Sequence, residues 1–436
     1  MTDPTPQDGP KNRHAPTDTN TVCDVTIPSG TSMTSRKRWV RRLVPFGAAT
    51  GLLALGGCAK DAPQDTWQPA GQNARQINNL QHWPFAIAGV VFVIVCAAVL
   101  YCIIKFRDRG QGIPQQTHGK PALEIFLTVV PAMILVGIGI PTVKVLMDLS
   151  KTSDTQCFVN VTGQQWWWEY DYPVQPGCLE GGITEPIVTS GQLVMPAQVK
   201  VLARIASRDV IHSYWIPRLN GKRDAVPGRV QTLRLEADHP GIYAGQCTEF
   251  CGLSHAYMRQ DAVVLDAAGF KSWVDNQLAA YQKPDAGTPA ADGEAAFISN
   301  CSRCHQVNGL ADSEGKPIIS RPDLYVWAGA APNLTNLMTR TDFAGASFDL
   351  LTPDCKAKLW NAPPNEFTKL YLQGVTPDCF NAVQLREWLR NPPGKKPMYV
   401  NPTELGPTDG KYRGMPNLGL TEDQIDKIID YLLERK

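Results

Sequence analysis

The densest chemistry in this 436-residue chain lies between Gln246 and Met258. Cys247, Cys251, His255 and Met258 fall in that one run, and His212 lies upstream, ahead of Ser213-Tyr214-Trp215-Ile216-Pro217. Two thiolates, two imidazoles and a thioether make a soft donor set, which selects copper over hard cations. A structural zinc site would leave Met258 unused, because zinc takes Cys, His and carboxylate ligands. A Cys247–Cys251 disulfide would leave both His and Met258 idle. A second signature follows at Cys301-Ser302-Arg303-Cys304-His305. C-x-x-C-H is the attachment signal for c-type haem, with Cys301 and Cys304 as thioether anchors and His305 as proximal iron ligand. No βαβ pattern surrounds it, as a thioredoxin-like pair would need, and no second C-x-x-C follows to complete a zinc site.

The sixth ligand of an electron-transfer haem is often Met, which raises its potential. Met338, Met398 and Met415 are the candidates. Met415 is favoured because its loop leads into Thr421 and Gln424, a capping box, and then into Ile425, Ile428, Ile429 and Leu432 on one helical face. Met398 lies seventeen residues earlier and reaches the same place only if the intervening Pro- and Gly-rich stretch folds back.

These residues need elements to hold them. Residues 1–57 comprise a Thr-, Pro- and Asp-rich stretch, read as disordered or as untranslated sequence ahead of a start at Met33, and then a leader. The leader has a basic cluster (Arg36, Lys37, Arg38, Arg41, Arg42), a short apolar run and Leu55-Gly56-Gly57-Cys58. That order is a signal peptide's, and its ending resembles a lipoprotein processing site with Cys58 lipidated. Residues 58–148 hold two uncharged runs, 85–104 and 125–143. At about 1.5 Å per residue, each can cross a hydrocarbon core of roughly 30 Å. Lys105, Arg107, Arg109 and Lys120 place the loop between them in the cytoplasm and both outer ends outside. Glu124, at the mouth of the second run, reads first as a solvated helix-start carboxylate.

Residues 149–280 alternate with period two, as in Val199, Val201, Ala203 and Ile205, and form a small sandwich or barrel. Residues 281–292 are a Pro- and Gly-rich linker, and 293–436 a helical domain. Cys157 with Cys178, and Cys355 with Cys379, are candidate disulfides on the oxidising side. Lys+Arg total 42 against Asp+Glu 41, which argues against nucleic-acid binding.

The C-x-x-x-C-x-x-x-H-x-x-M run resembles the binuclear CuA centre of cytochrome c oxidase subunit II. Other residues share the likeness: Gly163-Gln164-Gln165-Trp166-Trp167-Trp168-Glu169-Tyr170-Asp171-Tyr172, Asp224-Ala225-Val226-Pro227-Gly228-Arg229, and Glu124, Thr128 and Pro131. Gln164 stands where the family commonly has His, and Phe126 where it has Trp. By this resemblance Cys247 and Cys251 bridge two coppers, His212 and His255 bind one each, Met258 is a weak ligand and Glu249 contributes its backbone carbonyl. Trp166 takes the position of a surface electron-accepting Trp, Glu124 becomes a candidate for a proton path, and the Asp224–Arg229 loop faces subunit I. The loop carrying Met415, together with Pro332-Asn333-Leu334-Thr335 and Leu385-Arg386-Glu387-Trp388-Leu389, resembles the cytochrome c domains fused to some bacterial subunits II.

The fold class implied is multidomain: a transmembrane helical hairpin, a cupredoxin-like β-barrel and an all-α cytochrome c domain. The implied function is electron relay from haem c to CuA and on to subunit I of a proton-translocating oxidase. Beyond His212, His255 and His305, only His14, His82, His118 and His239 remain, none within a span, so the oxygen-reducing centre belongs to another subunit. The implied partners are subunits I and III, a cytochrome c or quinol–cytochrome c reductase as donor, and the lipid bilayer. The implied location is the bacterial cell membrane, multi-pass, with both redox domains on the outer face. A CuA-bearing nitric oxide reductase subunit and a stand-alone membrane electron carrier are the alternatives.

Overall fold

The structure, a computed structural model, describes residues 62–110, 112, 118–176, 178, 182–312, 314–316, 318, 331–399 and 414–436. The leader, Met33 and Cys58 lie outside the described residues.

The two uncharged runs form helices α1 (Gln72–Lys105) and α2 (Pro121–Leu149), each longer than the run at its centre. Pro121 opens α2, where its missing N–H costs nothing. Both helices are long and apolar enough to cross a membrane. Their Val, Ile, Leu and Phe side chains stay exposed along the length, a surface that matches hydrocarbon rather than water. The outer end of this hairpin is tied down by Arg234, which is buried. Its guanidinium donates to Asn73 (2.8 Å) and Asp154 (3.0 Å) and lies 3.6 Å from Asp148 at the end of α2.

Ten strands follow: β1 (Cys157–Gln164), β2 (Trp167–Tyr172), β3 (Ile187–Ser190), β4 (Gln192–Pro196), β5 (Val201–Ser207), β6 (His212–Trp215), β7 (Arg223–Ala225), β8 (Gln231–Leu235), β9 (Gly241–Cys247) and β10 (Arg259–Leu265). They make two five-stranded sheets, β3-β2-β1-β5-β8 and β4-β10-β9-β6-β7. The period-two pattern does what it should: Val201, Ala203 and Ile205 are buried while Leu202 and Arg204 are less so. β1 pairs in parallel with β5, and β4 with β10, so each sheet mixes both senses. A disulfide joins Cys157, at the start of β1, to Cys178.

The remainder is helical in the main, but not all-α. After α3 (Ala267–Gln277) come α4 (Pro289–Asn300), α5 (Pro353–Trp360), α6 (Pro364–Tyr371), α7 (Ala382–Arg390), the single turn α8 (Pro392–Lys395) and α9 (Glu422–Leu433). A short antiparallel ribbon, β11 (Asp342–Phe343) with β12 (Phe348–Asp349), interrupts them. Its Phe343 ring meets Trp388 of α7 edge-on, and its Phe348 ring lies tilted against the same indole. A Cys355–Cys379 disulfide braces the same segment. α4 begins at Pro289, inside the stretch whose Pro and Gly suggest a linker. Thr288 caps it and Pro289 sits at its first position, so these residues start the helix rather than prevent it.

This helical part packs closely on the sandwich. Gln192 of β4 donates to Thr341 (2.5 Å) and Asp342 (2.6 Å), and Arg340 donates to Ser190 (2.8 Å). Within the helical part, α9 crosses α4, with Phe297 and Tyr431 rings 5.2 Å apart. The crossing is tight at Gly293, where a Cβ would lie 1.9 Å from the Lys427 carbonyl oxygen and 2.8 Å from Tyr431 Cβ. Gly293→Ala should therefore force the two helices apart and cost about 1–3 kcal/mol. Amide hydrogen exchange checks this: loss of protection confined to α4 and α9 is expected, and unchanged protection there refutes the packing account.

Candidate metal centre

β6 begins at His212 and β9 ends at Cys247, and these strands pair with Tyr214 opposite Cys247. The chain then loops through Cys251 and one 3-10 turn, His255–Tyr257, before entering β10. This return gathers the donors. Cys247 Sγ lies 3.8 Å from Cys251 Sγ, 4.0 Å from His212 Nδ1 and 3.3 Å from the Glu249 carbonyl oxygen. Cys251 Sγ lies 3.5 Å from His255 Nδ1 and 3.8 Å from Met258 Sδ. The two sulfurs are thus adjacent but not bonded, so the disulfide reading is wrong. His212, Cys247, Cys251 and Met258 are buried, and His255 half-buried. The Glu249 side chain is exposed, and only its carbonyl faces the cluster.

The electrostatics favour one thiolate and resist a second. A hydrogen bond from Cys251, with help from His212 and from the backbone at Ser213 and Glu249, pulls the Cys247 thiol down to about 4. Cys251 is pushed up, first by that same sharing with Cys247 and then by burial. Burial alone would lower His212. Its hydrogen bonds to Asp209 and Cys247 outweigh burial and leave it raised. Asp209 Oδ1 sits 2.8 Å from His212 Nε2, which leaves Nδ1 turned towards the sulfur. A carboxylate behind a ligating imidazole fixes its orientation and raises its basicity. Asp209, three residues before His212, was missed in the sequence; that i−3 spacing was its only signal. Soft donors converging from five side chains suit copper, and a cation there replaces the proton that the thiol pair retains.

Comparison with known proteins agrees. Residues 157–267 match the family description "Cytochrome C oxidase subunit II, periplasmic domain", and residues 64–145 match "Cytochrome C oxidase subunit II, transmembrane domain". The chain is 32% identical to cytochrome c oxidase subunit 2 of Alkalihalophilus pseudofirmus, over 67% of this chain and 84% of that protein. This chain belongs to the cytochrome c oxidase subunit II family. It is also 30% identical to subunit 2 of Bacillus sp. (strain PS3), over 88% of this chain and 94% of that one, a match that must reach into the helical last third. The crystal structure of the periplasmic domain of subunit II from Bradyrhizobium japonicum shares 29% identity, covering 29% of this chain and 96% of that one, with a TM-score of 0.25. Membership brings a copper centre of the CuA type, a place in an oxidase complex, and a membrane location with the sandwich on the outer face.

One expectation for this subunit II needs correction. Trp166 was expected at the surface, but it is only 2% exposed. Its Nε1–H donates to the Cys251 carbonyl oxygen (3.0 Å), as does Gln165 Nε2 (2.7 Å), and the Tyr399 ring lies 5.2 Å away. Trp168 is core, packed edge-on to Tyr214. Glu124 is exposed in the first turn of α2, apart from the cluster. Asp224 and Arg229 are exposed while Ala225 between them is buried.

The C-x-x-C-H motif terminates α4. Cys301 is the C-cap, and the N–H groups of Cys304 and His305 both bond its carbonyl. Burial pushes the Cys301 thiol up to about 12 and raises Cys304 as well. These are unactivated thiols, unlike Cys247. Burial also lowers His305, and its Nδ1 lies 2.8 Å from the Pro332 carbonyl oxygen. A neutral imidazole that donates through Nδ1 presents a free Nε2 lone pair, the arrangement of a metal-ligating His. Met338 is fully buried, its N–H bonded to the Arg435 carbonyl, so it belongs to the core. Met398 and Met415 are neighbours: the Met415 N–H lies 3.4 Å from Met398 Sδ. Met398 and Met415 therefore both reach the same place.

The thiol pair's retained proton makes copper loading pH-dependent. Metal-free chain should bind copper more tightly as pH rises from about 6 to about 8, by about tenfold per unit for each proton displaced. Cys251→Ser should lose the binuclear near-infrared signature and flatten that slope. Competition titrations against a chelator check it, and a flat wild-type profile refutes it.

Proposed function

We propose that the chain is the electron-transfer subunit of a respiratory haem–copper oxidase, carrying both a CuA centre and a covalent haem c and passing electrons to a catalytic subunit I that reduces oxygen to water. The observation that carries this reading is the donor cluster around the Cys247 and Cys251 sulfurs, 3.8 Å apart, with imidazole and thioether on either side. When bound, the two coppers and the haem supply one-electron redox chemistry at two separate places in the chain.

The residues divide that work. Cys247, Cys251, His212, His255 and Met258 would hold the copper pair through their side chains, and Glu249 would add its backbone carbonyl. Asp209 holds the His212 ring. Cys301 and Cys304 anchor the porphyrin, and His305 offers Nε2 while Pro332 holds Nδ1. Trp166, bonded to the Cys251 carbonyl, links the copper site to the helical domain. Glu124 is a proton-path candidate, supported by its place at the mouth of α2. The hairpin spans the membrane twice with its 105–120 loop in the cytoplasm, and Cys58 carries a lipid. Subunit III completes the complex, and a cytochrome c or quinol–cytochrome c reductase is the donor.

Met415 is the methionine that would hold the haem iron, because its loop leads into the capped α9 that crosses the helix bearing Cys301. Purified complex should show a c-type haemochrome spectrum on this chain alone after denaturing electrophoresis, together with a mixed-valence copper resonance. Met415→Ala should lose the sulfur-to-iron absorption band of the oxidised haem and lower its potential, while Met398→Ala leaves both nearly unchanged. The opposite pattern would make Met398 the ligand. Absence of covalent haem would end the relay reading.

A further inference from the structure

Lys396 is 3% exposed. Its Nζ donates to three backbone carbonyls: Trp166 (2.7 Å), Ala344 (2.8 Å) and Tyr257 (3.2 Å). Carbonyl oxygens solvate a cation without neutralising it, and among the described residues no carboxylate is bonded to this one. Burial pushes the ammonium down to about 7, and the Cys251 sulfur opposes that. The three acceptors oppose it as well. A neutral amine has only two N–H groups and would turn its lone pair onto a carbonyl oxygen. The nest therefore suits the charged form. Its place is equally specific. Tyr257 immediately precedes Met258 in the chain. Trp166, whose carbonyl accepts from Lys396, donates through Nε1 to the Cys251 carbonyl (3.0 Å). Ser254 Oγ donates to the carbonyl of Pro397, the residue after Lys396. The loop that carries Cys251, His255 and Met258 is thus tied to the Lys396 segment at several points. The turn between β11 and β12 leaves room for the ammonium and no more: a Cβ on Gly345 would lie 2.9 Å from Lys396 Nζ.

We propose that Lys396 sets the reduction potential of the copper centre: its buried, unneutralised ammonium holds that potential up. Lys396 is not a ligand and acts only as a fixed charge. Reduction by one electron lowers the net charge of the copper pair by one. A cation held nearby favours the less positive form, so the reduced state gains. A surface lysine would do little, because water and salt screen it within about 10 Å. A buried one is screened much less, and its field acts at lower effective dielectric. The segment that brings this charge belongs to the helical part, more than a hundred residues after the last copper donor. The copper site would therefore be tuned by a residue outside its own β-domain. The inference rests on the copper reading and not on the haem.

The test is an anaerobic redox titration of the purified oxidase complex, followed through the near-infrared band and the paramagnetic resonance of the copper pair. Lys396→Met removes the charge and all three donors. Lys396→Gln removes the charge and keeps two donors. Both should shift the reduction equilibrium towards the oxidised form by about tenfold, which is about 59 mV for one electron. The band positions and hyperfine pattern should stay as in the wild type, because no ligand is touched. Lys396→Arg keeps the charge and should keep most of the potential. A purely structural role predicts another order. Loss would then follow the stranded carbonyls, large in Lys396→Met and small in Lys396→Gln, with altered copper spectra. The proposal is overturned by that order, or by wild-type potentials in both neutral variants. Failure of the copper reading would show separately, as a wild-type complex with no mixed-valence signal to titrate.

Discussion

Two thiols held 3.8 Å apart in a buried pocket are the constraint around which this molecule is organised. Left alone, such a pair ionises once and resists ionising again, because the second negative charge would lie beside the first in a poorly solvated place. Every neighbouring element answers that problem. β6 brings an imidazole backed by Asp209, the Glu249 carbonyl faces Cys247, and the return into β10 brings His255 and Met258 against Cys251. Strand pairing supplies the rigidity. Cys247 and His212 sit on strands locked together in one sheet, so their separation is a property of the ladder rather than of side-chain rotamers.

The sandwich meets the helical domain where β3 passes into β4, and that junction is polar. Arg340, Asp342, Gln192 and Thr341 are all buried and bonded across it. Burial pushes Asp342 up to about 6, and Asp261 of β10, also raised by burial, lies beside it. Buried polar networks add little net stability over apolar packing, but a half-made one is expensive, so they penalise every wrong docking register. A seam of this type fixes orientation more sharply than a greasy one would.

Much of this is legible in the sequence. The donors at Cys247, Cys251, His255 and Met258 are close in sequence, and soft-ligand chemistry narrows the choice without geometry. The apolar runs announce α1 and α2 by length alone, and the alternation in 199–205 announces β5. What could not be read depends on contacts across long separations. Lys396 lies in Pro392-Pro393-Gly394-Lys395-Lys396-Pro397, which looks like a solvated turn. Nothing local says that its ammonium is buried 230 residues away from Trp166. Trp166 was misplaced for the same reason. Its exposure is decided by Tyr399 and the Ala344 turn, neither of which leaves a mark near position 166. The helix boundary at Pro289 hides in a Pro- and Gly-rich stretch that reads as a breaker, although Pro at a first helical position favours the helix.

The cysteines carry a consequence for how the protein is made. Cys157–Cys178 and Cys355–Cys379 are oxidised, on the face of the membrane where the sandwich resides. Cys247 and Cys251 are on that same face and must stay reduced to serve as donors, although only four positions separate them and their sulfurs nearly touch. An oxidant competent to close the first two bridges is also competent to close this pair, and exchange is fastest from the thiol already ionised, which is Cys247. Maturation is therefore a race between oxidation and metal capture. A chain that loses it would be folded and correctly inserted, but unable to take up copper until a reductant reopened the bond.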